Sequence, residues 1–140
     1  MINASKAFIA FHQNQPTLVI ATLSNTQFKN HDLELFCLPL ETKSMFDIYL
    51  QDQTYYSTIL SRLESFSRKL SSKYDFAGQK KEGYENYLHF VKSLTLIYNK
   101  SKGDIEEVKK LSKKISNTKR INHKSWLLEK CAQIISSKID

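Results

Sequence analysis

Between Tyr56 and Leu70 the large apolar residues are Tyr56, Ile59, Leu60, Leu63, Phe66 and Leu70, at successive steps of 3, 1, 3, 3 and 4. Such steps place every member on one side of an α-helix and on both faces of a strand. The same period runs through almost the whole chain, and no segment sustains the apolar/polar alternation of a half-buried strand. Only three glycines and two prolines occur in 140 residues, which disfavours a many-turned β sandwich. The expected fold class is therefore all-α.

The period predicts about seven helices. A first covers residues 4–13, bringing Ala7, Ile9, Ala10 and Phe11 close together. Pro16 suits the first turn of a second helix, where its missing N–H does no harm; this helix carries Leu18, Val19, Ala21 and Leu23. A third spans 31–51 with Phe36, Leu40, Phe46, Ile48 and Tyr49; Pro39 lies inside it, and a kink or break is expected near Leu38. A fourth covers 54–72, followed by a linker over 72–78. A fifth runs over 79–99, with Tyr84, Tyr87, Leu88, Val91, Leu94 and Tyr98 on one face. Gly103 is suited to end a helix and Asp104 to cap the next, which covers 105–116 with Ile105, Val108, Leu111 and Ile115 on one face. Residues 117–121 lead to a last helix with Trp126, Leu127, Leu128, Cys131, Ile134 and Ile135 on its apolar side, capped by Ser125 or Asn122. Short connections make neighbours antiparallel, so stacked helical hairpins are expected.

Charge is unevenly placed. The chain carries +7 overall. Residues 1–60 hold 3 Lys/Arg against 5 Asp/Glu, a net −2, and residues 61–140 hold 18 against 9, a net +9. A basic half attracts nucleic acid, anionic lipid or an acidic protein, although a lysine-rich helix face is more often simply solvated. Cys37 and Cys131 lie far apart among apolar neighbours, as buried free thiols do in a reducing compartment. No run approaches the roughly 20 apolar residues of a membrane helix, and the N-terminus lacks the pattern of a signal peptide. A cytoplasmic protein is expected, with no membrane partner.

Hairpins invite a search for repeats. AFIAFHQNQPTLVIATL (7–23) and MFDIYLQDQTYYSTILSRL (45–63) share an apolar helix, a polar loop and a second apolar helix. Phe8 aligns with Phe46, and Phe11 with Tyr49, at an offset of 38. The arrangement resembles the tetratricopeptide-repeat hairpin, whose period is about 34 residues; the usual Gly/Ala pair and helix-closing proline are missing.

A more specific likeness lies in DIYLQDQTYYSTILSRLESFSRKLSS, GYENYLHFVKSLTLIYN and LSKKISNTKRINHKSWLLEKC. Through Tyr49, Ser65, Phe66, Arg68, Leu70, Tyr84, Asn86, Tyr87, Phe90 and Trp126 to Lys130, the chain resembles the C-terminal region of large uncharacterised proteins of Bacteroidetes-type bacteria. The likeness covers about residues 4–135 and departs at Tyr87, where that group prefers Phe, and at Pro39, where it prefers an unbroken helix. It implies a tetratricopeptide-like (TPR-like) right-handed helical solenoid and no chemistry. It also suggests that residues 1–140 form a single helical-repeat domain, with the C-terminal part of a longer chain favoured over a stand-alone small protein. An apolar patch on the first hairpin is then expected to lie exposed, open to self-association.

Catalytic motifs do not emerge. His12, His31, His89 and His123 form no zinc-ligand spacing, no glycine loop cradles a phosphate, and no nucleophile elbow occurs. Glu106–Glu107 and Glu82 with Glu85 sit in lysine-rich stretches, where solvated ion pairs are expected rather than acid/base work; Glu106 with Lys110 fits weak helix-face pairing. The seven tyrosines are read as packing residues, with Tyr55 and Tyr84 as the candidates for exposed rings. No enzyme, metal or cofactor is expected.

Two features remain. Lys109, Lys110, Lys113, Lys114, Lys119, Arg120 and Lys124 form a candidate surface for an anionic partner, with lysines repeating at i, i+4. Trp126, the only tryptophan, opens an amphipathic helix and is read as a structural anchor, whose loss costs about 3–5 kcal/mol if the ring is buried. The expected function is a non-catalytic helical-repeat scaffold that binds another protein, with a homo-oligomer through the first hairpin as one form. The alternative is a nucleic-acid-associated protein gripping phosphates non-specifically through its basic helix.

Overall fold

A computed structural model describes the backbone of residues 2–24, 26–28, 30–72, 78–102 and 104–139, and the side chains of these residues other than 2, 78, 79 and 139. Seven α-helices account for most of it: α1 (Ile2–His12), α2 (Pro16–Ser24), α3 (His31–Gln51), α4 (Tyr56–Ser72), α5 (Gly78–Ser101), α6 (Ile105–Asn117) and α7 (Lys124–Ile139), with a 3-10 turn at Gln53–Tyr55. No strand occurs among the described residues, so the chain is all-α. It divides into two compact units, Met1–Arg62 and Leu63–Asp140. The expected linker at 72–78 and the helix-ending Gly103 lie largely outside the described residues.

In the first unit α1 packs on α2 and α3, and α2 packs on α3. The face that α1 buries is small: Ala4, Ala7 and Ala10 are 5%, 0% and 2% exposed. Their spacing of three places them on one side of the helix. They join Val19, Leu23, Cys37 and Leu40, with Phe11, Phe28 and Leu33 at the margin. Ile9, grouped by the sequence with Ala7, Ala10 and Phe11, is exposed, because the alanine stripe takes the inward position and lets helices approach closely. Asn14, at φ 57, turns the chain between α1 and α2; asparagine tolerates this left-handed conformation better than most residues.

Helix α3 is capped at its start by the Asn30 side chain, which accepts from the Leu33 N–H at 2.8 Å. It continues through Pro39 without the break expected near Leu38. The proline withholds one backbone donor, a local cost of about 3 kcal/mol. Every residue from Leu38 to Phe46 is buried, so tertiary packing outweighs that cost. At the other end, the Asp52 carboxylate accepts from the Thr54 hydroxyl at 2.6 Å and the Thr54 N–H at 3.1 Å. These bonds hold its carboxyl below the usual range.

In the second unit α5, α6 and α7 pack against one another. Tyr87, Val91 and Leu94 of α5, Val108 and Ile115 of α6, and Leu127 and Cys131 of α7 are all fully buried. Phe66 of α4, also buried, lies 6.2 Å from the Tyr84 ring between centroids. Asp104 caps α6 as its sequence predicts, accepting from the Glu107 N–H at 3.1 Å. Lys102 takes a left-handed φ of 58 at the end of α5.

The sequence offset of 38 residues pairs unlike environments. Phe8 is 42% exposed and Phe46 fully buried; Phe11 is half-buried and Tyr49 fully buried. Helix α1 has 11 residues and α3 has 21, so α3 has a buried segment for which α1 has no counterpart.

Candidate functional site

Helix α6 carries the centre of the basic cluster. Its apolar side is inward through Val108, Leu111 and Ile115, and Lys109, Lys110, Lys113 and Lys114 are exposed. At about 100° per residue these four lysines span roughly 140° of the helix surface. The carboxylates of α6, Glu106 and Glu107, are confined to its first turn, where they complement the positive end of the helix dipole. The pairing of Glu106 with Lys110 expected from their spacing is not made.

The loop from α6 to α7 carries the rest of the cluster and is fastened to α5 by contacts that span more than 30 residues of sequence. The Asn86 amide donates to the Arg120 carbonyl at 2.7 Å. The Arg120 guanidinium donates to Glu82 at 3.2 Å, and the Asn122 N–H to the Gly83 carbonyl at 3.1 Å. His123, at φ 60, sets its ring edge-on to Tyr87 at 5.1 Å. The Lys124 ammonium turns back to the Ser116 carbonyl at 3.2 Å, supplying a cation to the negative end of α6. Arg120 and Lys124 are thus tied within the fold. The side-chain ammonium groups of Lys109, Lys110, Lys113, Lys114 and Lys119 make no hydrogen bond or ion pair among the described residues. Asn122, one of the two expected caps of α7, is committed to α5 instead.

Trp126 sits at the junction of α7 with this loop. It is half-buried, tilted against Tyr87 at 6.3 Å between centroids and covered by the Lys130 ammonium at 5.7 Å from its ring. The full burial on which the larger stability cost depended is not found. Leu127, next in sequence, takes the fully buried position.

In the first unit a second surface comes into view. Phe8, Ile9, Leu18 and Phe36 are 42%, 54%, 50% and 50% exposed. Phe8 and Phe36 stack at 5.9 Å between centroids, and His12 leans on Phe8 at 4.3 Å. A shallow groove of about 220 Å³ beside them is lined by Lys6, Ile9, Ala10, Gln13, Gln15, Leu18 and Thr22. Helical periodicity names Ile9, Leu18 and Phe36 among the apolar residues of their helices without giving their outward placement, and an exposed apolar patch is expected on the first hairpin, where Phe8, Ile9 and Leu18 lie. The signal available was the alanine triplet, which turns the large residues of α1 outward.

Other titratable groups sit in structural settings. Glu41 is buried and pairs with Arg62. Lys43 is buried, with its ammonium 5.4 Å from the centre of the Phe11 ring; burial lowers its pKa to about 8, against the opposing pull of Asp47. Burial also raises the thiol pKa of Cys37, with Glu41 adding to it, and pushes Cys131 up to about 11. Neither thiol has the lowered pKa of a nucleophile. His12, His31, His89 and His123 are exposed. No three His, Cys, Asp or Glu residues cluster to hold a metal among the described residues, and none of the described helices is long and apolar enough to cross a membrane. Tyr55 and Tyr84 are half-buried rather than exposed, and Tyr74 lies outside the described residues.

No protein-family profile, curated protein or solved structure matches the chain.

Proposed function

We propose that this chain is a non-catalytic protein-interaction module of the helical-repeat kind, a TPR-like solenoid segment that binds another protein through the outward face of α1, α2 and α3. The observation that carries this reading is the stacked Phe8–Phe36 pair, about half exposed, with Ile9 and Leu18 beside it. Single exposed apolar residues are ordinary, but a group of large ones is a common mark of a contact surface. Consecutive helices joined by short turns, with α1 touching both α2 and α3, support the layered arrangement.

The test is site-specific photocrosslinking in the native cell, with the probe at Leu18 or at Ser116. Crosslinks to a defined protein from position 18, absent from position 116 and lost in Phe8→Glu/Phe36→Glu, are expected. The same partners from both positions, or none from position 18, would overturn the reading.

A further inference from the structure

We infer that the exposed face of α6, continued by the α6–α7 loop, binds the phosphate backbone of nucleic acid without reading its sequence. This goes beyond the protein-interaction reading and concerns different residues. Four lysines share one arc of α6, and the two carboxylates of that helix are withdrawn to its first turn. The positive charge of α6 therefore lies beyond its first turn, and the exposed Lys119 follows in the adjoining loop, where Arg120 is paired with Glu82. The loop that bears them is held to α5 through Glu82, Gly83 and Asn86, so these cations are positioned before any ligand arrives. Five of the cations make no hydrogen bond or ion pair within the described fold and can meet phosphates without first breaking one.

The chemistry of the surrounding surface selects among anionic partners. A helix that lies in a membrane interface needs an apolar face to insert, and the apolar face of α6 is already inside the fold through Val108, Leu111 and Ile115. A protein interface is anchored by buried aromatic or arginine residues at its centre, and the α6 face presents only lysine, serine, asparagine and glutamate to solvent. A row of lysines with no apolar anchor is suited to phosphodiesters as point charges. Base readout in a groove calls for arginine, asparagine or glutamine making paired bonds, and the helix presents no such set, so binding is expected to be indifferent to sequence.

The experiment is fluorescence anisotropy of the full chain with a mixed-sequence 20-nucleotide RNA and a 20-base-pair DNA, at 50 and 200 mM salt. With about four to five phosphates neutralised, affinity is expected to fall roughly 10²-fold between the two salts. Lys109→Gln/Lys110→Gln/Lys113→Gln/Lys114→Gln should lose at least tenfold in affinity at 50 mM. Glutamine keeps good helix propensity, and circular dichroism checks that the variant is folded. The matched control replaces Lys80, Lys92, Lys100 and Lys138 by Gln, the same change in net charge, and should lose less than threefold. Three outcomes would each overturn the assignment: no binding at 50 mM, an equal loss in both variants, or tighter binding to vesicles of 3:1 phosphatidylcholine and phosphatidylserine than to either nucleic acid.

Discussion

Asn122 donates its backbone N–H to the Gly83 carbonyl at 3.1 Å, and its side-chain Oδ1 stands only 2.6 Å from where a Cβ on Gly83 would be. Gly83 is therefore the point at which the α6–α7 loop can close onto α5. The obstructing atom is the end of a short side chain that can rotate. Gly83→Ala should accordingly leave stability within about 1 kcal/mol of the parent, since alanine gains about that much in helix propensity. Gly83→Leu has no such escape and should cost on the order of 1–3 kcal/mol through overpacking. Urea midpoints of the two variants check this; equal midpoints would mean that the loop does not rest on this residue.

Two ion pairs provide a contrast in burial. The Glu41 side chain is 7% exposed and that of its partner Arg62 is 30% exposed, whereas Arg68 and Glu64 are 69% and 70% exposed at 3.0 Å. Removing a cation from a buried carboxylate leaves a charge that water cannot reach. Removing one from a solvated pair changes little. Arg62→Met should lower stability by about 1–3 kcal/mol, below the full penalty for a buried pair because water reaches part of Arg62. Arg68→Met should fall within about 0.5 kcal/mol of the parent. Restoring neutrality with Glu41→Gln in the Arg62→Met background should recover part of the loss.

The helices were largely legible because periodicity records which side of a helix meets a core. Ile59, Leu63, Phe66 and Leu70 of α4, and Val108, Leu111 and Ile115 of α6, are buried at the steps the sequence displays. The pattern fails in α3, where Glu41, Thr42, Lys43 and Ser44 are buried beside apolar residues. A helix segment surrounded on all sides has no polar face to give a period. It misleads in α1, where alanines take the inside and Phe8 and Ile9 the outside. The basic cluster was visible as composition, but its division into tied and unpaired cations was not. That division depends on Glu82, Gly83 and Asn86, contacts too distant in sequence for any local pattern to encode.

Lys43 should make stability depend on pH. Its folded pKa is lowered from 10.5 to about 8, chiefly by burial. Below pH 8 both folded and unfolded chains carry the charge, and the folded one bears the full penalty of burying it. As pH rises from 8 to 10.5 the folded lysine deprotonates first, and stability rises by on the order of 2–3 kcal/mol. Cys131 acts in the opposite sense: its folded pKa is raised from 9.0 to about 11, so its contribution is lost between those values. Comparison with Lys43→Met separates the two. The variant should exceed the parent in stability at pH 7, less whatever the Phe11 contact contributes, and its advantage should shrink by pH 10. Urea melts across pH 7 to 10 read the difference directly, and a constant gap would rule out the lowered lysine pKa.

Trp126 and Leu127 are neighbours in sequence with different roles, and their truncation should separate those roles. Leu127 is fully buried, so Leu127→Ala should cost about 2–5 kcal/mol. The Trp126 ring is half-buried between Tyr87 and Lys130. Part of its area is already in water, so Trp126→Ala should cost less, about 1–2 kcal/mol. The ring also reports on the loop contact, being the only indole in the chain. Its fluorescence should be partly accessible to acrylamide in the native protein and more accessible in Gly83→Leu, where the loop is pushed from α5. Native accessibility as low as that of an enclosed indole, together with a cost for Trp126→Ala equal to that for Leu127→Ala, would return the tryptophan to the core.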